Sequence, residues 1–343
     1  ESGDPGLGGM GRVVGDAIQF VSGLSTVTSW RLTGPIWLAL GMFLFSRLLA
    51  KWKVSKSTTF TMGLLFIASP FAWWSFTYLS TDVTAFVFGA AMLLLATGVA
   101  RHERSPWWFV PLVFVAALFK ITNLLILGLV LIFFLIHSIS NGASRRRSAT
   151  ANGLVRSQFS LWGALSASVI VGALVQVLWT RLLPVLAVSE ARADQGVSRE
   201  LRGMDLLTLF SMSPAAAITH NPVAGINGGQ LLTAAYQPLA WVAIASVFGA
   251  LMSIRWGTER GPIVWATAIA SIVALPALGV AFYVMTGSYF DLPGRYAGSL
   301  IPAVLLLGGF LLKSRVAQVV LWCYSGLLML VASVTSIFIR QMF

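Results

Sequence analysis

The sequence predicts an all-α polytopic membrane protein, and three observations carry that prediction. Of its 343 residues, 57% are hydrophobic and only 10% charged, where soluble domains carry roughly a quarter charged residues. Several apolar runs reach the ~20 residues that cross a hydrocarbon core of about 30 Å. The basic residues behind the net charge of +12 cluster in short loops beside those runs, where the positive-inside rule places them. The charge therefore reports topology and excludes nucleic acid as the partner. The lone cysteine, Cys323, sits in an apolar run, so no internal disulfide or cysteine metal cluster forms.

The apolar runs lie at 33–50, 60–79, 83–100, 107–137, 159–183, 238–254, 262–286, 296–312 and 316–339. The fourth is too long for one ordinary crossing. As a single helix its 30-odd residues would span about 45 Å, and its middle holds Lys120, Thr122 and Asn123, which are costly in lipid. It reads as two short helices in a re-entrant-like hairpin over 107–137, which brings the expected number of membrane helices to about nine or ten. Residues 1–343 form a single transmembrane domain, with an outer N-terminal loop at 1–32 and a large outer loop at 184–235. That large loop has a charged first half, Glu190 to Asp205, suited to an amphipathic helix. Its second half, with Pro214, Pro222, Gly225, Asn227, Gly228 and Gly229, suits irregular backbone.

Orientation follows from the charges. Arg47, Lys51, Lys53, Lys56, Arg101, Arg104, Arg145, Arg146, Arg147, Arg156, Arg255, Arg260, Lys313 and Arg315 fall on one side when the spans alternate. That is 14 of the 23 basic residues, with only Glu103 and Glu259 of the eleven acids, and this side is expected to be cytoplasmic. The other nine acids, among them Glu1, Asp4, Asp82 and Asp291, then lie at the outer surface, and chemistry is expected there. The hairpin enters and leaves from the cytoplasmic side and carries Lys120 at its tip.

Each candidate residue has a plain structural reading beside a functional one. Glu1 and Asp4 suit a base or the oxygen ligands of a divalent cation, and equally suit solvated residues near a chain end. Asp82, after Ser80-Thr81, suits a helix N-terminus as well as an outer pocket. Lys120 at membrane depth calls for a partner, unless its stem snorkels to the headgroups. Arg295, in Asp291-Leu292-Pro293-Gly294-Arg295-Tyr296 ahead of a span, presents a donor fork suited to phosphate. The plainer reading is an Asp291–Arg295 ion pair with Tyr296 in the aromatic belt. Gly294 and Gly298 form a GxxxG that suits close helix packing. His220 reads as structural or incidental, because no other histidine stands at ligand spacing. No HExxH, Walker A, GxGxxG or GxSxG pattern is present, which removes ATP-driven transport and zinc proteolysis by those motifs.

Four places together resemble the GT-C superfamily of membrane glycosyltransferases and a bacterial polytopic family common in actinobacteria. They are the acidic stretch at Glu1 and Asp4, Ser69-Pro70-Phe71 through Tyr78-Leu79-Ser80-Thr81-Asp82, the Phe119-Lys120-Ile121-Thr122 step, and Gly294-Arg295-Tyr296 with Pro302. The resemblance implies a sugar donor on polyprenyl phosphate and a site on the extracytoplasmic face of a bacterial plasma (inner) membrane. Asp4, with Glu1 beside it, would act as base or as ligand of a divalent cation (Mg, Mn or Ca), and Asp82 is a further acidic candidate. Lys120 and Arg295 would hold the donor phosphate, while His220, Asp291 and Tyr296 are the acceptor-side candidates. It also implies one helix ahead of residue 1, which the non-methionine start suits. Two departures stand out: Glu1-x-x-Asp4 replaces an adjacent acidic pair, and no soluble C-terminal domain follows.

The function expected is transfer of a sugar from a polyprenyl-phosphate donor to an envelope glycan, lipid or protein. A transporter or flippase for an envelope lipid is the alternative, and it predicts broken helices near mid-membrane. A non-catalytic membrane assembly subunit is the third reading, and it predicts no carboxylate near Lys120 and Arg295.

Overall fold

A computed structural model describes residues 10–23, 25–77, 81–145, 151–186, 200–220, 229–287, 289 and 292–342. The described chain is helical throughout, and eight of its helices are long and apolar enough to cross a membrane. A bent pair makes a ninth if counted as one crossing. The protein is a polytopic α-helical membrane protein, with eight or nine such spans among the described residues against the nine or ten expected.

The N-terminal region differs from expectation. Residues 1–9 lie outside the described residues, but the rest of the anticipated 1–32 loop holds α1, Met10–Ser22, and the start of α2, Thr26–Lys51. The apolar positions of α1, Met10, Val13, Val14, Ala17, Ile18 and Val21, recur at helical spacing. At 13 residues, however, α1 is too short to register as a span. It packs on α2. Ser25 starts α2 seven residues before the apolar run, its hydroxyl accepting from the Thr28 N–H, the usual N-cap device.

The second run is broken. Ser55 caps α3, Lys56–Ile67, and α4, Pro70–Thr77, leaves it at 66°. The local cause is Ser69-Pro70. Proline has no N–H to continue a helix but suits a first helical position, and the Ser69 hydroxyl accepts from the Ala72 N–H at 3.2 Å.

A 3₁₀ turn at Thr81–Thr84 leads into α5, Ala85–Ala100. Then α6, Phe109–Phe119, ends at Lys120, and a second 3₁₀ turn, Ile121–Leu124, opens α7, Leu125–Arg145. The chain doubles back there, as the buried polar residues predicted. The Phe109 and Phe134 rings, at corresponding heights on the two arms, stand 6.1 Å apart, and Asn123 Nδ2 reaches back to the Ala116 carbonyl at 3.3 Å. The arms find different partners, α6 packing on α8, Ala151–Leu186, and α7 on α11, Gly261–Thr286.

Between α8 and α10, Gly229–Ser253, lies α9, Gly203–Thr219. Of the anticipated amphipathic stretch, Glu190 to Asp205, residues 190–199 lie outside the described residues. Pro214, expected in irregular backbone, is helical, because α9 packs against α4, α10 and α11 and tertiary contact overrides the local signal. Last come a seven-residue 3₁₀ segment, Gly294–Leu300, then α12, Ile301–Leu311, and α13, Arg315–Met342.

Burial separates centre from periphery. The spans built on α5 and α12 are 72% and 83% buried, against 28% for α2 and α8 and 22% for α13, so the first two form the axis and the others face lipid. The basic turns gather at one end. Lys51 pairs with Glu103, Arg101 with Glu259, Arg260 donates to the Trp52 carbonyl and Arg315 to Ser57. Four loops distant in sequence thus meet at one end, as alternating spans require. Asp82 and Arg101, bracketing α5, stand about 28 Å apart at 1.5 Å per residue.

Candidate functional site

At the end of the bundle away from the basic turns, the two axial helices begin in 3₁₀ segments that carry charge. Runs of 3₁₀ beyond three or four residues are uncommon and often mark a hinge or strain. Close approach holds the seven-residue run in place. A methyl group at Gly294 would sit 2.7 Å from the Ala216 carbonyl oxygen, and one at Gly298 would sit 2.5 Å from the Phe71 ring. The GxxxG is therefore a packing device, each glycine serving a different neighbour. On the facing helix, a methyl at Gly89 would lie 2.2 Å from the Ser299 carbonyl oxygen, so α5 and this segment touch backbone to backbone.

Asp82, in the turn before α5, is the centre of the cluster, with its side chain only 3% exposed. Lys120 Nζ donates to Oδ1 at 2.5 Å, and Arg295 Nε approaches Oδ2 at 3.0 Å. Each carboxylate oxygen thus has its own cation. Lys120 reaches it because α6 stops there, and the hairpin tip is pinned at two points. Asn123 Nδ2 donates to Thr84 Oγ1 at 3.0 Å, and the Ser299 hydroxyl donates to the Thr122 carbonyl at 3.3 Å. Lys120 Nζ also stands 4.7 Å from the centre of the Tyr296 ring, a cation–π distance.

His220 completes the cluster at the C-terminal end of α9, outside the membrane-crossing helices. Its Nε2 lies 3.1 Å from Arg295 Nη1. Arginine can only donate, so Nε2 accepts and the ring carries its proton on Nδ1. Burial, then the Arg295 charge, pushes its pKa down to about 4, against an opposing pull from Asp82. The imidazole is neutral at pH 7, so among the described residues one carboxylate and two cations give the cluster one net positive charge.

Asp82, Lys120, Arg295, Tyr296 and His220 therefore come together. Lys120 contacts Asp82 and the Arg295 guanidinium contacts Asp82 and His220, while the expected Asp291–Arg295 pair lies outside the described residues. Glu1, Asp4 and Asp291 lie outside the described residues. His220 looked incidental because its partner is 75 positions away, and Thr84 carried no signal. Asn123 did carry one, as an amide costly in lipid.

Among the described residues no group of three or more His, Cys, Asp or Glu side chains could hold a metal ion. The Asp82 cluster, among its described residues, has both carboxylate oxygens already facing positive groups. Its excess charge suits an anion. Comparison with protein-family models, curated proteins and solved structures finds no match to this chain, so the class its fold and site define is a multi-pass helical membrane protein with a buried, cation-rich cluster at one end.

Proposed function

We propose that this protein is a glycosyltransferase of GT-C type that takes a sugar from a polyprenyl-phosphate donor and passes it to a cell-envelope acceptor at the extracytoplasmic face. The observation that carries the reading is the Lys120–Asp82–Arg295 cluster at the end of the bundle opposite the basic turns. A polyprenyl-phosphoryl sugar is a phosphodiester with one negative charge, which suits the single excess positive charge counted over the cluster's described residues. As the bond between sugar carbon and phosphate oxygen breaks, the departing phosphate gains a second negative charge. Lys120 and Arg295, preorganised by Asp82, would stabilise that charge without having to reorient. The acceptor hydroxyl forms the new glycosidic bond, and its proton passes to a base, for which the resemblance names Asp4. In this reading Asp82 positions the cations. Lipid-facing helices beside the cluster suit the prenyl tail, and Tyr296 suits a sugar face. The position of the cluster at the end of the axial helices supports an enzyme using a lipid donor over a transporter, which would centre its site at mid-membrane.

The test is sugar transfer from radiolabelled polyprenyl-phosphate sugars to envelope acceptors by the purified full-length protein, with donor binding followed in parallel. Arg295→Gln is expected to weaken donor binding and transfer together, and Asp4→Asn to abolish transfer while sparing binding. Unmodified protein that binds donor but never transfers sugar would refute the enzymatic reading and leave a lipid carrier.

A further inference from the structure

At the opposite, basic end, a cavity of about 820 Å³ is lined by Leu44, Arg47, Ala50 and Lys51 of α2, by Ala91, Leu94 and Leu95 of α5, and by Arg104, Trp108, Pro111 and Leu112 at the start of the hairpin. From these residues we infer a binding site for an anionic glycerophospholipid, with an acyl chain along α5 and the phosphate among Arg47, Lys51 and Arg104. The inference is independent of the glycosyl-transfer reading, because nothing in this cavity touches the Asp82 cluster.

Three features select that occupant. First, α2 and α6 both pack on α5 but leave a strip of it uncovered. Within α5 the only partly exposed residues are Ala91, Leu94, Leu95 and the terminal Ala100, and the first three lie on one stripe at helical spacing. The floor is thus apolar and runs about 10 Å from Ala91 to Gly98 at 1.5 Å per residue. Second, the charges converge where the floor ends. A methyl at Gly98 would sit 3.0 Å from Arg104 Cγ and 3.2 Å from Lys51 Nζ, so both side chains lie over the same glycine. Lys51 is paired with Glu103. Arg47, Lys51 and Arg104 against that one acid leave two net positive charges and no carboxylate in the lining itself. Third, Trp107 and Trp108 are 53% and 60% exposed beside the cations, as expected of aromatic side chains at headgroup level. An apolar strip below, indoles and cations at the rim, and surrounding lipid-facing helices match an amphiphile with a phosphate head rather than a free anion or a protein partner.

The experiment uses purified full-length protein in neutral detergent, titrated with phosphatidylglycerol or phosphatidylcholine, with bound lipids counted by native mass spectrometry. One phosphatidylglycerol is expected to be held well above phosphatidylcholine. The double variant Arg47→Gln, Arg104→Gln should bind it roughly thirtyfold more weakly, the effect of removing two basic residues near an anionic lipid surface. Ala91→Trp fills the floor and keeps every cation, and Leu112→Trp fills it from the opposite wall. Whichever of the two retains native thermal stability should lose the bound lipid. Equal retention of both lipids would overturn the proposal, as would undiminished phosphatidylglycerol binding with the floor filled, which would mean headgroup attraction to an open surface. Displacement by equimolar polyprenyl phosphate would overturn the identity of the occupant.

Discussion

Asp82→Asn is the sharpest probe of the cluster. The substitution keeps the shape of the side chain and removes its charge, leaving Lys120 and Arg295, whose side chains are only 18% and 31% exposed, without the carboxylate they share. Breaking a buried ion pair from one side costs about 3 to 5 kcal/mol, because the orphaned charge keeps its desolvation penalty. Lys120→Met is milder. Asp82 still holds Arg295 at 3.0 Å, and a single charge-assisted hydrogen bond is lost, worth roughly 2 kcal/mol. Glu259→Gln sets the floor of the scale, since it removes an ion pair whose acid is 68% exposed, worth less than about 1 kcal/mol. Thermal unfolding of the detergent-solubilised protein, followed by the fluorescence of its 13 tryptophans, should rank the three in that order. Asp82→Asn is expected to lower the midpoint by roughly 5 to 10 °C. A midpoint for Asp82→Asn no lower than that of Glu259→Gln would refute the claim that Asp82 is the shared counter-ion of Lys120 and Arg295.

Three further outcomes follow from the same geometry. Gly89→Ala forces a methyl to within 2.2 Å of the Ser299 carbonyl oxygen. It should destabilise by about 1 to 3 kcal/mol through overpacking and weaken donor binding, measured as Tm and Kd, by displacing the segment that carries Arg295. Arg295→Lys keeps the charge and loses the fork that bonds Asp82 and His220 at once, so Tm should fall although the net charge is unchanged. His220 should give the protein an acid-sensitive stability. Its folded pKa of about 4 lies below the ordinary 6.5, so between those values the unfolded chain binds more protons than the folded one. The contribution is therefore complete above pH 6.5 and is lost as pH falls toward 4. His220→Gln, whose amide oxygen can still accept from Arg295, should flatten that part of a Tm-against-pH curve, and an unchanged slope would remove His220 from the cluster.

Local chemistry made the class of this protein legible in its sequence. Apolar runs of crossing length can be solvated only by lipid, and the bias of arginine and lysine to alternate loops places those loops at one end, where Lys51 meets Glu103 and Arg101 meets Glu259. The break at Lys120 was legible for the same reason, since a lysine, a threonine and an asparagine in mid-run carry their cost wherever the rest of the chain lies. The short α1 does not stand out in the sequence because its 13 residues, Arg12 and Asp16 among them, are too few and too polar to read as a crossing, although their apolar positions recur at helical spacing. Pro214 misled, because a helix docked on three others tolerates a residue that an isolated segment would not.

The tertiary structure alone decided the pairing. Asp82, Lys120, His220 and Arg295 stand in four separate segments, and each on its own had an adequate plain reading, whether a helix start, a snorkelling stem, an incidental imidazole or a local ion pair. Glycines at 89, 294 and 298 let the segments approach closely, and that approach brings Asp82 within reach of both Lys120 and Arg295. The sequence alone determined that these polar groups would be costly in a membrane. Only the packing of the axial helices determined which of them neutralise each other, because a contact between residues 82 and 295 depends on every turn and helix between them.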